Sequence, residues 1–145
     1  MTEENYWDQQ VRSALGPALE SGQLTIIDEV DELFGGLETA FPAVGTKIDW
    51  SEIPGSLNLF SRGAKQEDFE RFFNENVSRM DLDTPAYYLS DAALSFAIAG
   101  DVRSLGQCLS SILDNPQNHY FAAKDFSWCM ALTMEGDMNF GYRPS

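Results

Sequence analysis

The sequence predicts an α+β fold: several helices packed on one face of a small, mostly antiparallel sheet that includes a C-terminal β-hairpin. Three observations carry this. Residues 126–142 alternate large apolar and small or polar side chains, broken only at Glu135-Gly136-Asp137. That period of two belongs to strands. Residues 65–80 instead space their apolar side chains as a helix does. The 145 residues, 43% hydrophobic, suffice for one core, and no repeat, linker or low-complexity tract divides them. Residues 1–145 are therefore expected to form a single acidic globular domain.

Taken in order, Thr2 is placed to cap a helix with Glu3 and Glu4 in its first turn, the sign that end favours. Trp7, Val11, Ala14, Leu15, Ala18 and Leu19 follow at helical spacing. Gly16-Pro17 should kink or split this helix, and Ser21-Gly22 end it. Thr25 and Asp28 match a capping box. The helix behind it would carry Ile26, Ile27, Val30, Leu33, Phe34 and Leu37 as its apolar stripe, with Gly35-Gly36 leaving its end open.

Residues 41–63 are the least regular, with turn material at FPAVG and EIPG and short strands expected at Lys47–Trp50 and Leu57–Phe60. A helix is expected over Lys65–Met80, with Phe69, Phe72, Phe73, Val77 and Met80 inward. Its Glu67–Arg71 and Glu75–Arg79 pairs at i,i+4 are worth about 0.3 kcal/mol each. Pro85–Leu89 reads as extended. Ser90 and Gly100 bracket a short helix. Asp101 then caps another, with Val102, Leu105, Cys108, Leu109, Ile112 and Leu113 inward and Asn115-Pro116 as its stop.

In the hairpin, Phe126, Trp128, Met130, Leu132 and Met134 share one face. A two-residue turn would set Met138 against Thr133 and turn the second apolar set away. A three-residue loop or a bulge sets Met138 against Met134 and Phe140 against Leu132, which buries one continuous face and is the expected register.

The net charge of −14 comes from 23 acids against nine bases. Residues 1–60 hold eleven acids and only two bases, Arg12 and Lys47. Such a field disfavours nucleic acid and anionic membranes as direct partners and speeds encounter with a basic one. The N-terminus lacks the apolar segment of a signal peptide, and no apolar run approaches the roughly 20 residues that cross a bilayer. A cytoplasmic, reducing setting is expected, with Cys108 and Cys129 as unpaired core residues.

No catalytic motif stands out, and no catalytic residue, cofactor or metal ligand is assigned. His119 is the only histidine and is expected on an exposed loop or strand start. One His and two distant cysteines do not make a zinc site. Asp81-Leu82-Asp83 lacks the later ligands of a calcium loop and reads as a capped turn. Gly35-Gly36 is not followed by the Lys-Ser/Thr of a phosphate loop.

The candidate partner-binding residues are Asp28, Glu29, Asp31, Glu32, Glu38, Asp49, Trp50 and Glu52. Seven acids fall within 25 residues, with Lys47 the only base among them. The plain reading of Asp28–Glu32 is the solvated face of an amphipathic helix. The functional reading is an acidic surface for a basic partner, with Trp50 either an aromatic anchor within it or a plug at the core edge.

The C-terminal layout, in which YYLSDAALSFAIAG and a further helix lead into DFSWCMALTMEGDMNFG, resembles the immunity proteins of bacterial polymorphic toxin systems, including contact-dependent growth inhibition. The resemblance covers about the last 60 residues and maps no individual binding residue. It implies a non-enzymatic protein that neutralises a cognate toxin domain by one-to-one binding, the toxin being a basic nuclease. A phage-type inhibitor or DNA mimic is the alternative from the acidity alone, and a carboxylate-dependent hydrolase a third reading.

Overall fold

Alternation in the second half of the chain builds the centre of the sheet. The structure is a computed structural model that describes residues 5–44, 47–91, 94–114 and 117–144. Strands β5 (Pro85–Ser90), β6 (Ala97–Asp101), β7 (His119–Ala123), β8 (Trp128–Leu132) and β9 (Asp137–Tyr142) stand in the order β6-β5-β7-β8-β9. The first half supplies both edges. β1 (Leu24–Ile27) pairs with β6 and β4 (Leu57–Phe60) with β9, completing seven antiparallel strands.

Each face of the sheet carries its own core. On one, Tyr88, Ile98, Phe121, Met130, Leu132 and Phe140 meet five helices: α1 (Tyr6–Ala14), α2 (Gly16–Ser21), α4 (Lys65–Val77), α5 (Val102–Gln107) and α6 (Leu109–Ile112). Phe69 and Phe73 of α4 both contact the Phe121 ring, at 5.8 and 5.3 Å between centroids. All three are essentially inaccessible, and burying each contributes about 1.5–3 kcal/mol. α1 is pinned from below by Asp8. Its buried carboxylate accepts from the Ser95 N–H at 2.8 Å and the Ser95 hydroxyl at 2.6 Å.

The other face presents mainly small residues: Ala97, Ala122, Cys129 and Ala131 beside Leu89 and Tyr120. Small side chains let a thin layer lie close. That layer is α3 (Val30–Ala40), a two-stranded ribbon of β2 (Ala43–Val44) and β3 (Lys47–Ile48), and a 3-10 turn at Trp50–Glu52. The helical layer expected on one face is thus present, and α3 covers part of the reverse.

Several local expectations are corrected. Thr25 and Asp28 form no capping box: Thr25 pairs with Ala99 as part of edge strand β1, and α3 begins only at Val30. Leu24 and Ile26 face the first core and Ile27 the second, so strand pairing satisfies all three at once. The helix expected between Ser90 and Gly100 is replaced by β6, held between β1 and β5. Arg71 pairs with Asp68 rather than with Glu67. The helix after Asp101 is capped as expected, by the Asp101 carboxylate on the Ser104 N–H at 2.7 Å, but breaks at Cys108 into α5 and α6. Thr2, Glu3, Glu4 and the Asn115-Pro116 stop lie outside the described residues; Asn5 caps α1, with Asp8 closing a capping box.

The hairpin keeps its expected faces but not its register. The chain turns over Thr133–Gly136, with Gly136 at φ +102 and its N–H on the Thr133 carbonyl. Met138 therefore faces Leu132 and Phe140 faces Met130, two residues from the expected pairing. Met134 is left exposed at the tip. Phe126 precedes β8 and packs with the second core, away from the Trp128 face.

Candidate acidic interaction surface

The second face shows how the acidic residues are placed. Along α3, Leu37 and Ala40 are buried and Val30, Leu33 and Phe34 pack against the core, with Phe34 edge-on to Tyr120 at 6.2 Å. This spacing turns Asp31, Glu32 and Glu38 outward. Asp28 and Glu29 lie exposed in the link from β1. The chain then folds back, with the Asp49 N–H on the Pro42 carbonyl at 2.9 Å. Asp49 is half-buried and caps the 3-10 turn through the Ser51 N–H at 3.2 Å. Glu52 is exposed.

All seven candidate carboxylates thus belong to one layer on one face of the sheet, in two groups. Asp28, Glu29, Asp31 and Glu32 surround the start of α3. Glu38 stands near its end, and Asp49 and Glu52 on the turn. Eleven helical residues, a rise of roughly 16 Å, separate the ends of α3.

Trp50 is half-buried and packs with the second core. A Cβ on Gly141 would stand 3.2 Å from its ring and 2.9 Å from Ile53, so glycine at 141 is what lets the turn sit down on β9. The indole also borders a cavity of about 170 Å³ with Lys47, Tyr120, Thr133 and Asp137. It is a floor beneath the acidic surface rather than a projecting anchor.

The layer's one base is already engaged. Lys47 Nζ lies 3.2 Å from Glu135 Oε2 on the hairpin tip. Glu135 is held below the usual glutamate range, first by its own backbone and then by Lys47. Elsewhere the balance differs. Residues 61–80, spanning α4, hold four acids and four bases. The α3 layer is therefore more densely negative than the α4 flank.

Glu135 and Asp137 extend this surface, and sequence reasoning missed them. Eighty-three positions or more of sequence separate them from the candidate acids of the α3 layer, and their proximity to Lys47 and Trp50 follows only from the tertiary fold. His119 does begin a strand but is buried, which corrects its expected exposure. Its Nδ1 shares a 2.6 Å hydrogen bond with the Tyr88 hydroxyl, and that hydroxyl accepts from Gln117 Nε2 at 3.3 Å. Asp81 accepts from the Asp83 N–H at 2.9 Å in the expected capped turn. Among the described residues, no group of three or more His, Cys, Asp or Glu is arranged to hold a metal ion, and no helix is long and apolar enough to cross a membrane.

No protein-family model matches the chain, and no curated protein matches it.

Proposed function

We propose that this chain is an immunity-type inhibitor acting in the cytoplasm, where it binds a cognate basic toxin domain, a nuclease by class, and occludes it without making or breaking bonds. The observation that supports the reading is the layer of carboxylates on α3 and the 3-10 turn, whose single base is paired with Glu135. Two carboxylate groups on a packed scaffold present negative charge much as a phosphate backbone does. A basic cleft that handles nucleic acid is complementary to such a surface. Opposed fields of this kind raise association rates by about 10 to 10³-fold and weaken steeply with salt.

The cavities of this surface, about 20 Å³ beside Glu38 and about 170 Å³ beside Asp137, are both smaller than the roughly 300 Å³ or more of a small-molecule site, which favours binding over a carboxylate-dependent hydrolysis there.

The test is co-expression with the toxin domain encoded beside this gene. The expected result is protection and a one-to-one complex. Protection is lost on Asp31→Lys with Glu32→Lys and Glu38→Lys, although the variant still folds, as a single cooperative unfolding transition shows. A neighbouring toxin against which the chain gives no protection removes the reading. Selective capture of a host DNA-binding protein instead would support the DNA-mimic alternative.

A further inference from the structure

We propose that edge strand β4 is the seam of a homodimer, in which two copies pair their β4 strands antiparallel and join their sheets into one. Leu57, Leu59 and Phe60 are 43%, 55% and 55% exposed, three large apolar side chains within one four-residue strand. The opposite edge, β1, has no exposed large apolar residue. A sheet edge of this kind is a template for another strand.

The hydrogen-bonding groups point the right way. The Ser61 N–H bonds the Gly136 carbonyl at 2.9 Å, and Phe60 pairs with Asp137. Bonded and non-bonded pairs alternate along an antiparallel ladder, so Leu57, Leu59 and Ser61 bond β9 while Asn58 and Phe60 turn their N–H and C=O outward. Pairing Asn58 with Phe60 of the second copy, and the reverse, uses all four outward groups. It also places Leu59 against its own counterpart on the two-fold axis.

Charge selects a second copy as the occupant. Leu57 and Leu59 share the face of Phe140 and Met138, where they line grooves of about 440 and 270 Å³ against α4. Asp68, Arg71, Glu75 and Arg79 stand along that flank. Their signs alternate, so the flank carries no net field to draw a basic protein. A two-fold axis reverses the row and can set Arg71 against Glu75 of the second copy. On a chain of net charge −14, this balanced row spares a second copy the repulsion that the α3 layer would impose. An axis normal to the sheet leaves both α3 layers on the same side, which doubles the acidic surface available to a partner.

Sedimentation velocity from about 1 to about 200 µM tests this at moderate salt. The expected species has twice the 16.2 kDa mass of the chain and dissociates on dilution. Leu59→Lys and Glu75→Arg, both at exposed positions, should each raise the dissociation constant by about tenfold or more. Leu82→Lys, at an exposed leucine outside this flank, should leave it unchanged. A chain that stays monomeric throughout overturns the proposal, as does a dimer indifferent to both β4-flank variants. Neither result bears on protection by the α3 surface.

Discussion

Gly36 of α3 lies directly against the Phe126 ring: a Cβ at Gly36 would stand 2.6 Å from Phe126 Cε2. Phe126 itself holds φ 58, a left-handed conformation rarely adopted by a side chain of its size. Helix and turn therefore fix one another. Gly35, one residue earlier, has nothing within 4 Å of the same position. Gly36→Ala should destabilise by about 1–3 kcal/mol through overpacking. Gly35→Ala should stabilise by about 0.5–1 kcal/mol through helix propensity. Urea unfolding of the two variants distinguishes them, and shifts of the same sign would show that the contact with Phe126 is not what requires glycine.

The acids of α3 divide by their place on the helix dipole. Asp31 and Glu32 occupy the first turn, where negative charge is favourable, while Glu38 stands near the carbonyl end, where it is not. Neutralising Asp31 or Glu32 should cost about 0.3–1 kcal/mol, and Glu38→Gln should gain a similar amount. If Glu38 belongs to the partner surface, the same Glu38→Gln change weakens toxin binding while raising the melting temperature. A Glu38→Gln protein that binds unchanged at low salt removes Glu38 from that surface.

The two cysteines lie in different cores on opposite faces of the sheet. Burial pushes the Cys129 thiol far above its ordinary pKa and raises half-buried Cys108 as well. A raised thiol pKa lowers the thiolate fraction, so both should react more slowly with Ellman's reagent than a free thiol at pH 8. Cys108 should be modified first. Cys129 should become reactive only when denaturant unfolds the sheet, and equal native rates for the pair would contradict this placement.

Asp68 ties α4 to the end of β4. Its carboxylate is held below the usual aspartate range first by the Ser61 hydroxyl, at 2.6 Å, and then by Arg71. A pKa depressed on folding adds stability that is complete above the unfolded value, about 3.9. That contribution fades as pH falls through the lower folded value. Asp68→Asn should thus be less stable than the parent at pH 7, with the gap closing below about pH 4. Denaturation curves at pH 7 and at about pH 2.5 provide the comparison, and an unchanged gap would rule out this linkage.

What was legible in the sequence had a period long enough to read. The aromatic row Phe69, Phe72, Phe73 admits only a helix, and alternation from Trp128 to Tyr142 admits only strands. The hairpin register was not legible because it depends on Thr133, whose N–H bonds the Asp137 carbonyl at 2.9 Å and whose hydroxyl accepts from the Asp137 N–H at 3.0 Å, so that the three-residue loop sits one residue earlier. LTII at 24–27 is too short for either period to exclude the other. AIAGD at 97–101 has little strand propensity of its own and is a strand because β1 and β5 flank it. The acids of the α3 layer were visible as a cluster in one dimension. Their common face, and the capture of Lys47 by Glu135 across 88 positions, belong to the tertiary fold.

Both edge strands come from residues before 61, whereas the five strands they flank lie between 85 and 142. During synthesis, the earlier half leaves the ribosome before the surface it docks on has been made. Until then its eleven acids, set against two bases, repel one another, and like-charge repulsion of this kind opposes aggregation of an unpaired chain. The same carboxylates that later form the α3 surface act, during that interval, as the chain's own solubiliser.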